Sequence, residues 1–203
     1  MSLPALQYPN GISYEEFLAT VDEGTHAEWV DGQVVPMSPA SERHEEISGF
    51  LYTLIRGYLR RKGIRGRTFH GTFQMKLGPT LPGREPDVIY VAPEHAHRVH
   101  GTFMKGPADL AVEVISPESR TRDRIDKFRE YQQAGVLEYW LIDPNLRTAE
   151  AYRLSDAGTY QLVDLGDPPR LRSVALPGFW VEVEWLWLDE PDEWVAYKAW
   201  GLI

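Results

Sequence analysis

The stretch "LAVEVISPESRTRDRIDKF", residues 110–128, sets a carboxylate inside an apolar strand and a lysine in the helix that follows. From Asp109 to Ile115 the residues favour a strand, along which side chains alternate between faces. Leu110, Val112 and Val114 then share one face, and Ala111, Glu113 and Ile115 the other. A central strand would partly bury Glu113, and an unpaired buried carboxylate is costly. Glu113 must be paired with a cation such as Arg, protonated, metal-bound, or on an exposed strand face. "SPESR" breaks the strand, and a helix is expected from about Thr121 to Ala134, stopped by Gly135. Helical periodicity puts Ile125, Phe128, Tyr131 and Ala134 in one apolar arc. Lys127 and Arg124 fall inside it. They either snorkel at its edge or point toward the carboxylates of the adjoining strand.

Working outward, "PDVIYV" (86–91) is a second short apolar strand, opened by Asp87 after Pro86. Two carboxylates on neighbouring strands can share a hard cation such as Mg²⁺. Ser13 with Glu16 forms a capping-box pattern for a short helix to about Ala19. "AEWVDGQVVPM" (27–37) reads as a hairpin turning at Asp31-Gly32. From Ser41 to Gly63 a long helix carries Ile47, Leu51, Leu54, Ile55, Tyr58 and Leu59 on one face. "RTFHGTFQMKL" (67–77) reads as one strand, and the His-rich stretch from Ala92 to Lys105 as loop. "EYWLID" (138–143) is a strand, "TAEAYRL" and "TYQLVDL" a hairpin, and Trp194 to Trp200 a short terminal helix. This order gives an α/β fold with a mixed sheet flanked by helices.

The chain has 203 residues, with 43% hydrophobic and 25% charged residues, which suits one domain with a sizeable core. It has no Cys, so disulfides and thiol chemistry are excluded. No apolar run has the ~18 residues of a membrane span. The opening "MSLPALQYPNG" lacks the basic head and apolar centre of an export signal, so a cytoplasmic location is expected. The net charge of −9 argues against a nucleic acid partner, yet it is unevenly placed. Between Ile47 and Arg84 there is no acidic residue, while Arg56, Arg60, Arg61, Lys62, Arg65 and Arg67 cluster there. Such a run is either a solvated helix face or a surface for a phosphate backbone.

An acidic residue after Pro, followed by Glu in an apolar strand, resembles the PD-(D/E)XK nuclease superfamily. The longer string "DLAVEVISPESRTRDRIDKFREYQQAGVLEYWLIDP" (109–144) is similar to the Uma-two family of restriction endonucleases within it. "AEWVDGQVVPMSP" (27–39), His44 and "PDVIYV" fit the same family, so the likeness runs from about Ala27 to Pro144. It implies a single restriction-endonuclease-like domain over 1–203, with a core of about 27–144. A C-terminal β and aromatic extension of about 148–203 adds further hairpins.

The resemblance makes Asp87 and Glu113 the metal-binding acids, with Mg²⁺ or Mn²⁺ as cofactor and nucleic acid, DNA in particular, as substrate. The superfamily's lysine normally stands two residues after the Glu. Here Ile115 occupies that position, and the resemblance moves the lysine to Lys127. Glu28 and His44 match family positions near the site, and Arg124 could support it. Dimers are common in similar nucleases, and the Trp-rich C-terminal third could form a homodimer interface or a private core. Two rivals stand beside a metal-dependent endonuclease. One is an inactive descendant that binds nucleic acid or protein; the other is a hydrolase of a different phosphoester.

Overall fold

A computed structural model describes residues 10–21 and 25–203. Residues 1–9, most of the segment read for an export signal, lie outside it. Helix α1 (Tyr14–Thr20) carries the full capping box between Ser13 and Glu16. Strands β1 (Ala27–Val30) and β2 (Gln33–Pro36) form the expected hairpin. Its turn needs positive φ at both Asp31 and Gly32, which is why that pair stands there. Helix α2 (Glu42–Lys62) starts at the Ser41 cap and ends at Gly63 in the left-handed region.

The segment expected as one strand after α2 is two. β3 (Arg67–His70) and β4 (Gln74–Lys76) belong to different sheets. Gly71, at φ 74°, lies between them, where the chain passes from one sheet to the other. Then come β5 (Gly83–Arg84) and β6 (Val88–Val91). The stretch expected as loop instead holds a 3₁₀ turn (Pro93–Arg98) and a small hairpin, β7 (Val99–His100) and β8 (Phe103–Lys105). Its backbone groups are satisfied by pairing with each other and with β4, which composition alone does not reveal.

Strand β9 (Leu110–Val114) leads through a π-helical turn (Arg122–Lys127) into α3 (Phe128–Ala134), capped by Gly135, and on to β10 (Glu138–Asp143). β9 and β10 are parallel, joined by this helical crossover. β11 (Thr148–Leu154), β12 (Tyr160–Leu162), β13 (Arg170–Arg172) and β14 (Trp180–Glu182) precede α4 (Glu193–Ala199).

One six-stranded sheet runs β2-β1-β5-β4-β8-β7 and the other β12-β11-β10-β9-β6-β3. β9 and β10 are buried on both faces, so they read as continuous apolar runs. On one face Leu110, Val112, Val114, Trp140 and Ile142 pack with Leu51, Leu54 and Ile55 of α2 and with Phe179 and Leu186 from the C-terminal third. On the other, Ala111, Ile115 and Leu141 pack with Tyr131 of α3 and with Met75 and Met104 of the second sheet. Glu113 lies on this second face, by the alternation along β9. Trp140, Trp185 and Trp187 belong to the first core, whereas Trp194 on α4 remains 55% exposed.

Candidate functional site

Strand register sets the centre. β6 and β9 are antiparallel with Val88 opposite Val112, which carries Asp87, one residue earlier, toward Glu113. Asp87 is half-buried, and the Val114 amide donates to its Oδ2 at 2.6 Å. His44, in the first turn of α2, sets Nε2 3.0 Å from Asp87 Oδ1. Burial would lower the His44 pKa, but the bond to Asp87 and its charge raise it above the ordinary histidine value. The ring's Nδ1 is buried without a hydrogen-bond partner among the described residues.

Glu113 is held by two donors. Lys127 Nζ lies 2.8 Å from its Oε2, and the Tyr131 hydroxyl donates to its Oε1 at 2.7 Å. Lys127 is 1% exposed and also stands 3.3 Å from Glu28 and 3.5 Å from Asp123. Glu28, from β1, accepts a second cation, Arg84 of β5, at 2.7 Å. Arg84 in turn makes a two-pronged bond to Glu130 on α3. The cluster therefore ties both sheets and the α3 helix together through charge.

Its electrostatics follow from an excess of acid. Burial alone would push Glu28 up, but Lys127 and Arg84 outweigh it and hold the carboxyl down to about 2. Lys127 loses hydration too, yet the carboxylates around it, Glu113 foremost, keep it charged and raise its pKa. Glu113 moves the other way. Burial raises it, Lys127 opposes, and Asp87 and Asp123 add to the rise. With more carboxyls than cations around it, ionisation of Glu113 is opposed more than it is helped.

Asp123 and Arg84 had no site role in the sequence analysis, and Tyr131 stood there only as an apolar helix position. Asp123, Lys127 and Tyr131 are spaced four apart, the spacing of one helix face, and that row was a usable signal. Arg84 carried none, since its partnership depends on contact between distant strands. The helical arc needs correction as well. The wider π turn rotates the residues before Phe128, leaving Ile125 45% exposed and burying Asp123 instead, while Lys127 is buried on the side the arc gave it. Arg124, expected either to snorkel at the arc's edge or to point toward the carboxylates, is partly exposed and pairs with Glu150 of β11 at 2.7 Å.

The basic run lies elsewhere. Arg60 is sixteen residues beyond His44 on α2, roughly 24 Å along the axis. Arg56, Arg60, Arg61, Lys62, Arg65 and Arg67 are all exposed. Arg61 stacks 3.8 Å from the Tyr197 ring centre, Lys62 lies over Tyr58, and Arg56 donates to the Tyr52 hydroxyl at 2.6 Å.

The donor set suits a hard divalent cation by chemistry. Asp87 and Glu113 offer carboxylate oxygens, each with a lone pair beyond the bond it already makes, and Asp123 Oδ1 is buried without a hydrogen-bond partner. Among the described residues, however, no three His, Asp or Glu side chains are already gathered to hold a metal ion.

Comparison with known proteins adds a family. Residues 14–184 match the family Uma2, described as "Putative restriction endonuclease". A Synechocystis protein described as uncharacterized is 29% identical over 177 residues, covering 85% of this chain and 90% of that one. A crystal structure from Anabaena variabilis, titled as a putative nuclease belonging to DUF820, aligns with a TM-score of 0.71 at 17% identity. That alignment covers 87% of this chain and 97% of the other, and shows a shared fold.

Proposed function

Since the chain belongs to the Uma2 family, we propose that it is a nuclease that hydrolyses phosphodiester bonds in DNA, using Mg²⁺ or Mn²⁺ held by Asp87 and Glu113. One observation carries this reading. A lysine missing from the strand, where Ile115 stands, is supplied by Lys127 at 2.8 Å from Glu113.

A divalent ion bound there would polarise the phosphate and lower the pKa of a water. The protein's own groups do the rest. The Val114 amide and His44 fix the direction of the Asp87 carboxylate. Lys127 and Tyr131 fix Glu113. Lys127 opposes negative charge developing on the phosphate, from a dry and preorganised position. Glu28, Arg84 and Asp123 hold the lysine in place.

The test is nicking of a supercoiled plasmid with Mg²⁺ or Mn²⁺. The parent should nick, and Asp87→Asn should not. Nicking that persists unchanged in Asp87→Asn would remove Asp87 from the chemistry. A second reading, a non-cutting nucleic-acid binder, is favoured by one feature: both Glu113 oxygens are already engaged by Lys127 and Tyr131. DNA binding without metal-dependent nicking by the parent would establish it.

A further inference from the structure

A cleft of about 340 Å³ lies beside Asp87, within the ~300–1,000 Å³ of small-ligand clefts. It is lined by Tyr52 of α2, by Phe69 and His70 of β3, and by Phe73, Gly101 and Thr102. Its position follows from register. β3 is the edge strand next to β6, and His70 pairs with Val88, the residue after Asp87. Neighbouring strands are ~4.8 Å apart, so the backbone at His70 lies about one strand spacing from that of Asp87.

Its lining is unusual for an acidic chain. Phe69 and Phe73 stack at 4.0 Å, and the Tyr52 and His70 rings meet at 4.2 Å. His70 is exposed although it belongs to an aromatic pair. No described residue of the lining is acidic, while the chain as a whole carries −9. Arg56, one turn beyond Tyr52, holds a cation at the rim through its bond to the Tyr52 hydroxyl. Flat rings, a nearby cation and no carboxylate suit a π-face attached to a polyanion.

We propose that this cleft receives one unpaired nucleobase of the substrate strand, stacked on the Tyr52–His70 pair, while the adjoining phosphate faces Asp87. The occupant is a nucleobase because His70 of the cleft stands one strand from the residue after Asp87, the lining carries no acid, and the Arg56 cation beside Tyr52 complements a phosphate backbone. This rests on the nuclease reading and narrows it to substrates with a single-stranded or flipped-out nucleotide at the cut.

The experiment uses the full chain in EDTA with short single-stranded DNAs carrying 2-aminopurine at successive positions. The parent should quench the probe strongly at one position. His70→Ala and the double variant His70→Ala/Tyr52→Leu should abolish that quenching and weaken binding, by about 5- to 150-fold for a full stacking contact. His70→Phe, which restores a ring without basicity, should recover both. His70 is exposed, so its variants should keep the parent's circular dichroism. Equal emission at every position, or unchanged affinity in the double variant, overturns the base subsite. Parallel plasmid nicking separates the two ideas. A parent that nicks but fails the fluorescence test loses only the subsite. A parent that passes the fluorescence test without nicking keeps the subsite and loses the nuclease reading.

Discussion

Lys127 Nζ sits 2.8 Å from Glu113 Oε2 although the two residues are 14 positions apart and on different elements. Both are almost wholly buried, so neither can exchange its partners for water: Glu113 has Lys127 and Tyr131, and Lys127 has Glu113, Glu28 and Asp123.

Lys127→Met should therefore act twice. Nicking at saturating metal should fall on the order of 100-fold, the cost of one preorganised donor. The protein should also lose about 3–5 kcal/mol of stability, because Glu113 and Asp123 lose the buried cation they share and Glu28 is left with Arg84 alone. Urea unfolding measures the second effect, and Lys127→Met/Glu113→Gln should recover part of it. A single variant as stable and as active as the parent would refute the role given to Lys127.

Metal binding should release protons. Glu113 is raised above its ordinary 4.5, and a metal needs the ionised carboxylate. Calorimetry with Mn²⁺ should then give heats that depend on the ionisation enthalpy of the buffer, and affinity that rises with pH. Glu113→Ala should lose the binding. Identical heats in buffers of high and low ionisation enthalpy would rule out a protonated Glu113.

Glu85, whose amide donates to Glu28 Oε1 at 3.3 Å, offers a pH test at the edge of the cluster. Burial pushes it up to about 8; its Oε1 accepts from Gln74, and its Oε2 has no hydrogen-bond partner among the described residues. The folded value lies above the unfolded one, so its contribution to stability is complete below about 4.5 and lost as pH rises through about 8. Parent and Glu85→Gln unfolding free energies should diverge by about 1.4 kcal/mol per pH unit inside that window. Parallel curves would mean that Glu85 is ionised throughout.

The distance of the basic run from His44 separates binding from cutting. Arg60→Ala/Arg65→Ala should flatten the salt dependence of DNA affinity by about 0.9 for each lost phosphate contact. The nicking rate at saturating DNA should stay at the parent's value. An unchanged slope would return these arginines to an ordinary solvated face.

Local chemistry was legible from the sequence wherever a few adjacent residues decided the outcome. The Ser13 box, the Asp31-Gly32 turn and the Ser41-to-Gly63 helix follow from caps and turns. Glu113 stood out because a carboxylate contradicts an apolar strand. What escaped depended on partners far along the chain. The break at Gly71 separates two strands by sheet membership, which alternation within the stretch cannot express. Arg124 was misplaced because a regular 100° step was assumed across a π turn. Arg84 entered the cluster only through contacts with Glu28 and Glu130, 56 and 46 positions away.

The joining of two sheets and a helix through Glu28, Arg84, Lys127 and Glu113 has a consequence for descent. Under the proposed function these side chains would be under two kinds of selection, one for what they do and one for what they hold up. A lineage that ceased to cut nucleic acid would still be penalised for losing any one of them, because the orphaned partner would remain buried. Half-buried Asp87 and His44 are less constrained by packing. Drift there, rather than at the lysine, would be the earliest mark of a relative that has abandoned catalysis.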